Sequence, residues 1–268
     1  MGEEIYKHSS YTINMFNYEW LYTNIVSFSG ILLFLTLSYL ILNSKYVKKN
    51  NLELKITQFL GVLILVRFLT SQTYQIHNSL WDPSHSLPFH LCGISGLAAS
   101  LLLIRYNQSV YEFLLLLGAP GALWSFLTPQ INLLESGAGF YNPSFLYLDY
   151  FISHAMIIFA PLYATFVLSK RPRPLSYFKV FINSNILLVP LASIVNIIVY
   201  YSFENYKSVN YMYLMAAPEA DNPFVVGEWP WYIVSIEAVG FLHMILIYCL
   251  FISIKSVKRS FMLKRGVI

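Results

Sequence analysis

The run Leu87-Pro-Phe-His-Leu-Cys-Gly-Ile-Ser-Gly96 sets a thiol, Cys92, just inside an apolar stretch that opens with a proline. Pro88 suits the first turn of a helix, where its missing N–H costs nothing. A cysteine near a helix N-terminus has its thiolate stabilised and its nucleophilicity raised. The chemistry this suggests is attack on an ester carbonyl to form an acyl-enzyme. The plainer reading of a free cysteine in such a helix is a small apolar packing residue, so the thiol needs a base beside it to count as catalytic. His90, two positions away, lies about 200° around a regular helix and cannot be that base. His154 precedes the apolar run Ala155 to Ala160, with nothing local to satisfy its ring. It is the candidate base, against the alternative of a histidine that makes one interhelical hydrogen bond.

The elements that must position these groups are membrane helices. The chain is 57% apolar, 17% aromatic and 11% charged, whereas a soluble domain carries about a quarter charged residues. A crossing needs about 20 mostly apolar residues. Seven stretches are read as crossings: Leu21 to Leu42, Ile56 to Leu80, Leu87 to Ile104, Val110 to Leu127, Phe145 to Leu168, Phe178 to Tyr201 and Trp231 to Ile254. The expected fold is all-α, one seven-helix bundle over 21–254, preceded by an extracytoplasmic segment 1–20 and followed by a basic cytoplasmic tail 255–268.

Orientation follows from charge. Of 17 Lys and Arg residues, 14 fall in alternate connections, at the helix ends that flank them and in the tail, among them Lys45, Lys48, Lys49, Lys55, Arg105, Lys170, Arg171, Arg173 and Lys179. Those segments are assigned to the cytoplasm by the positive-inside rule, which places the N-terminus outside. The remaining connections hold Lys207 alone among basic residues, but carry Asp82, Glu135, Glu204, Glu219, Asp221 and Glu228. Trp20, Trp81, Trp229 and Trp231 stand at the outer helix ends, where an amphipathic ring prefers the headgroup layer. The net charge of +4 belongs to the cytoplasmic loops, so no nucleic-acid partner is implied. The first 20 residues lack a basic region followed by an apolar core, so no cleaved signal peptide is expected. Cys92 and Cys249 fall near opposite faces and are not expected to bridge.

This topology gathers polar groups in the outer half of the bundle. Gln75, His77, His90, Asp149, His154 and Glu237 share that half, with Arg67 about 20 Å from the outer end of its helix at about 1.5 Å per residue. Arg67 has open choices: a lipid phosphate or carboxylate, Glu237, or backbone carbonyls. Gly118, Pro120 and Gly121, then Thr128-Pro129-Gln130, argue that the outer half of the fourth stretch is not a straight helix. Gly93 and Gly96 are read as permitting close helix packing. The loop 203–230, with Asn210-Tyr-Met-Tyr213, is read as a lid.

The motifs Leu87-Pro-Phe-His-Leu-Cys92, Gly118-Ala-Pro-Gly-Ala122 with Thr128-Pro129-Gln130, His154, Asn210-Tyr-Met-Tyr213 with Pro218, and Trp229-Pro-Trp-Tyr232 resemble the YwaF family of bacterial seven-helix integral membrane proteins, from about Trp20 to Ile254. The chain is similar, more distantly, to a eukaryotic transmembrane acyltransferase that moves fatty acyl chains between phospholipids through a cysteine acyl-enzyme. The resemblance implies a multi-pass protein of the bacterial cytoplasmic membrane, with Cys92 at the nucleophile's position. The pairing with His154 rests on depth and residue type.

The expected function is therefore acyl transfer on a membrane phospholipid or another amphipathic small molecule. In that reading Arg67, Gln75, His77, His90, Gln130, Asn210 and Tyr213 hold headgroup or ester oxygens, and no metal or cofactor is called for. A seven-helix sensor or small-molecule binding protein with the same pocket is the alternative. A transporter using Arg67, Asn183, Asn185 and Asn196 is the third reading. The orientation has a direct test: cysteines placed at Lys48 or Lys170 should react with a membrane-impermeant maleimide only after permeabilisation, and one placed at Asn142 should react on intact cells.

Overall fold

The computed structural model describes residues 9–134, 138–202, 208–220 and 222–264. Glu135, Glu204, Lys207, Asp221, Arg265 and the first eight residues, which enter the charge map and the N-terminal segment, lie outside the described residues. In chain order the elements are β1 (Ser9–Thr12), α1 (Tyr18–Leu42), α2 (Lys45–Lys49), α3 (Glu53–His77), α4 (Leu91–Ile104), α5 (Gln108–Phe113), a π turn (Leu114–Gly118) and α6 (Ala119–Leu127). They continue with β2 (Gln130–Leu134), α7 (Phe145–Phe166), α8 (Ser176–Asn183), a second π turn (Ser184–Leu188), α9 (Val189–Ser202), a 3-10 turn (Tyr211–Tyr213) and α10 (Trp231–Lys264).

Among the described residues, six helical spans are long and apolar enough to cross a membrane: α1, α3, α5–α6, α7, α8–α9 and the Trp231–Ile252 part of α10. The protein is a multi-pass membrane protein. The stretch expected at Leu87 to Ile104 yields a shorter apolar helix, the 14-residue α4. Its missing first turn is held in other structure. Asp82 Oδ1 accepts from the N–H and the hydroxyl of Ser84, both at 2.6 Å, and Leu87 N–H donates to the phenol of Tyr211 at 3.1 Å.

The fourth stretch was expected to break. Instead it stays helical from Gln108 to Leu127 by widening once, with Ala119 N–H bonding the Leu114 carbonyl across the π turn. The same device recurs where Val189 N–H bonds the Ser184 carbonyl. Each π turn is followed two residues later by a proline, Pro120 or Pro190. A proline donates no hydrogen bond and crowds the carbonyl of the preceding turn, and one wide turn accommodates it without ending the helix.

The two strands are the departure from the all-α expectation. β1 and β2 pair antiparallel with Tyr11 opposite Ile131 and Thr12 opposite Gln130. At this sheet end Glu19 gathers two phenols, Tyr11 at 2.8 Å and Tyr147 at 2.7 Å, clamping β1, α1 and α7 together. Burial, reinforced by the neighbouring Glu19 carboxylate, pushes the Tyr11 phenol up to about 12.

At the opposite end Arg173 donates to both Glu112 oxygens, with Nη2 to Oε2 at 2.7 Å and Nε to Oε1 at 3.0 Å. α7 is extensively enclosed, burying Phe151, Ile157, Ala160, Tyr163 and Ala164 among its neighbours. α3 runs along α4 at very short range: the Ser100 hydroxyl donates to the Gly61 carbonyl at 2.9 Å. A Cβ on Gly61 would lie 2.7 Å from the Ile104 backbone nitrogen and 2.8 Å from the Ser100 carbonyl. Gly61→Ala should therefore destabilise the bundle by about 1–3 kcal/mol, read as a fall of several degrees in Tm in detergent. Gly30→Ala, where a Cβ meets nothing within 4 Å, should leave Tm unchanged.

Candidate active site

Cys92 is the second residue of α4. The first intrahelical bond runs from Ile94 N–H to the His90 carbonyl, at 3.1 Å. The N–H groups of Leu91, Cys92 and Gly93 precede it and belong to the set that a helix start leaves without an intrahelical acceptor. The Cys92 sulfur lies 3.4 Å from Ser125 Oγ on α6. The imidazole of His154 on α7 lies near enough to act as its charge partner.

His154 is buried, and its Nδ1 lies 2.6 Å from the carbonyl of Tyr150, one turn earlier in α7. A carbonyl only accepts, so Nδ1 carries a proton and the neutral ring keeps Nε2 as its acceptor. That is the tautomer a base needs. The ring is further fixed by Tyr150 at 4.3 Å and Phe126 at 6.1 Å between centroids. The Tyr150 phenol donates to the Ser125 carbonyl at 2.8 Å and accepts from Gln130 N–H at 3.4 Å. Thiol, imidazole and the end of α6 are thus held by one chain of contacts.

The thiol and the ring open into a cavity of about 500 Å³, walled by α3, α4, α6, α7, α10 and the segment between α9 and α10. This lies in the usual range for sites that enclose small molecules. The wall from Met212 to Phe224 is fastened by named bonds. Asn196 of α9 takes the Tyr211 N–H at 2.8 Å and gives to its carbonyl at 3.0 Å. His90 Nδ1 accepts from Met212 N–H at 3.3 Å. Gln130 Oε1 accepts from Glu219 and Ala220 N–H at 3.0 and 3.3 Å. Met212 and Tyr213 both hold left-handed backbone, with φ of 57° and 54°, a conformation that costs energy for non-glycine residues. Burial raises the Tyr213 phenol, helped by Cys92 and Glu219 nearby, so it faces the cavity as an O–H donor.

Of the residues singled out from the sequence, Cys92, His154, Gln75, His90, Gln130 and Tyr213 all line this cavity. Gln75 brings a buried carbonyl oxygen with no partner. Arg67 lines instead a separate crevice of about 120 Å³ between α3, α4 and α7. Its partner is not Glu237 but Asp149, at 3.2 Å between Nη1 and Oδ1, while Glu237 takes a bond from Asn185 at 3.2 Å. His77 is the exposed last residue of α3 and lines neither cavity. Asn210 lines neither as well, since its side chain closes a turn with Met215 and Ala216. Gly93 is needed for packing, because its Cβ would lie 2.8 Å from Pro88 Cα, but Gly96 is not, having nothing within 4 Å.

Ser125 and Tyr150 were not foreseen. Tyr150 was within reach of sequence reasoning, since it stands one helical turn before His154. Ser125 was not, because its place depends on α6 remaining helical past Pro120.

A family model for transmembrane proteins matches residues 15–248. The chain belongs to the TMEM164 family. The match takes in every element from α1 to most of α10, and with it the whole cavity and both Cys92 and His154. No curated protein and no solved structure matches.

If the imidazole activates the sulfur, alkylation reports it. In a Cys249→Ser background, removing the exposed second thiol, His154→Gln should slow alkylation of Cys92 by a hydrophobic maleimide by about tenfold or more. Tyr150→Phe, which keeps the carbonyl, should have a smaller effect.

Proposed function

We propose that this TMEM164-family protein is a membrane-embedded acyltransferase that works through an acyl-enzyme on Cys92. The observation that carries the reading is the meeting of a helix-start thiol with an imidazole whose Nδ1 is committed to a carbonyl, inside a cavity large enough for a lipid ester region. A binding protein would need the cavity but has no use for the thiol–imidazole pairing.

The chemistry follows from these groups. His154 Nε2 takes the thiol proton as the sulfur attacks the ester carbonyl carbon. The C–O bond to the departing alcohol then breaks, and the imidazolium returns its proton to that alkoxide oxygen. The N–H groups of Cys92 and Gly93, in the first turn of α4 where the helix supplies no acceptor, are the donors available to the developing oxyanion. In the second half the acceptor hydroxyl gives its proton to His154 and attacks the thioester, and the C–S bond breaks to release the thiolate. Gln75, His90, Gln130 and Tyr213 orient head-group and acceptor oxygens. The segment Tyr211–Tyr213, strained and fastened by reversible hydrogen bonds, acts as the lid.

The topology that accompanies this reading has seven crossings, with α4 as the short one completed by the turns at 82–90. The N-terminus and the cavity mouth face outward from the cell membrane and the tail faces the cytoplasm. The substrate is then a lipid of the outer leaflet.

Purified protein given acyl-labelled phospholipid should acquire a label that hydroxylamine removes, and Cys92→Ala should acquire none. His154→Ala should lower the rate of labelling by about 10²–10⁴. No label on the wild type, or equal label on Cys92→Ala, excludes the acyl-enzyme.

A further inference from the structure

Cys92 lines both cavities, the large one and the crevice, and so do Ser71 and Ser153. The Arg67–Asp149 ion pair stands in the partition, Arg67 on the crevice side and Asp149 on the other. The nucleophile is therefore at a junction between two spaces of different character. The large space carries Gln75, His85, His90, Gln130, Asn132 and Tyr213. The crevice is walled by Ile64, Phe68 and Met156 and floored by Gly93 and Gly96. Its one charge, Arg67, is neutralised by Asp149.

The crevice runs between α3 and α7, two helices that both pack on α4 and touch each other little. Leu63 and Val66 on α3 and Ile152 on α7, which flank the crevice-lining residues, are exposed apolar side chains. In a membrane protein such positions face hydrocarbon. Exposed apolar side chains thus border the crevice, while polar ones line the large cavity.

Gly96 stands one turn below Cys92 on the same face of α4. Of the two glycines in the crevice, only Gly93 is explained by protein packing. At Gly96 a side chain would enter empty crevice, so the absent side chain preserves space and not helix contact.

We propose that the crevice between α3, α4 and α7 is the acyl-chain site, entered sideways from the bilayer, with Gly96 setting its clearance. The inference rests on the acyl-enzyme reading and adds the place in the fold where the acyl chain of the ester lies. The ester carbonyl sits at the sulfur, the glycerol and head group occupy the large cavity, and the chain leaves past Gly96. A space of about 120 Å³ compares with the roughly 150 Å³ apolar cavity that accepts benzene. It therefore holds the first few carbons, and the rest of the chain lies in the bilayer.

The test compares acylation of Cys92 by two activated esters, one acetyl and one palmitoyl, in the full-length protein in nanodiscs. Wild type, G96A, G96L and G240L are read as hydroxylamine-sensitive label. Gly240 is the control because it lines the large cavity and its Cβ also meets nothing within 4 Å. G96L should lower palmitoyl labelling by about tenfold or more while acetyl labelling stays within about twofold of wild type, with G96A between them and G240L unchanged in its chain-length preference. Retained acetyl labelling also certifies that the variant is folded. Unchanged palmitoyl labelling in G96L overturns the assignment. So does a selective palmitoyl loss in G240L, which would put the chain in the large cavity, and so does an equal loss of both labels in G96A and G96L. Failure of wild type to accept either ester removes the acyl-enzyme, and this site with it.

Discussion

The hydrogen bond between His154 Nδ1 and the Tyr150 carbonyl is the contact on which the proposed chemistry turns. In water an imidazole exchanges tautomers freely. Buried in α7, with a carbonyl at 2.6 Å, it presents one defined nitrogen to the thiol. His243 of α10 makes the same bond to Val239 at 2.7 Å, so the geometry is a general property of histidine in a helix. What distinguishes His154 is its neighbour, a cysteine at the start of another helix. The rest of the bundle serves to bring these two helix positions together and to keep them there.

That placement draws on opposed kinds of packing. α3 and α4 approach until glycine is the only residue that fits between backbones, as at Gly61. α3 and α7 are held by the Arg67–Asp149 pair instead, and space survives beside it. In the bilayer an ion pair of this kind satisfies two costly charges internally. The π turns before Pro120 and Pro190 contribute in the same sense, since Leu117, Ser184 and Asn185 from those turns reach the large cavity. Wide turns at functional sites are a recurrent feature of helices.

How much of this was legible in the sequence depended on the range of the interaction involved. Helix positions follow from runs of apolar residues, so α1, α3, α7 and α10 appear close to where they were expected. The pairing of Cys92 with His154 was foreseeable because both depths could be counted along helices of known rise. The short start of α4 was not, because the residues before it are captured by Asp82, Ser84 and by Tyr211, more than a hundred positions away. The partner of Arg67 was open for the same reason: depth alone left a lipid group, Glu237 or backbone carbonyls, and the structure pairs it with the Asp149 carboxylate and, at 3.5 Å, the Asp149 carbonyl. The β1–β2 sheet escaped notice because strand pairing joins distant segments of only four and five residues, too short to carry a period. His77 and Asn210 stand apart from the cavity, one exposed at the end of α3 and one bonded into its own turn, because a residue's place along the chain does not say which way its side chain points.

The brevity of α4 has a further consequence. Fourteen residues rise about 21 Å, roughly 9 Å less than a hydrocarbon core. The difference is made up by the turns at 82–90, whose non-helical backbone must find its partners inside the protein, as Ser84 does with Asp82 and Leu87 with Tyr211.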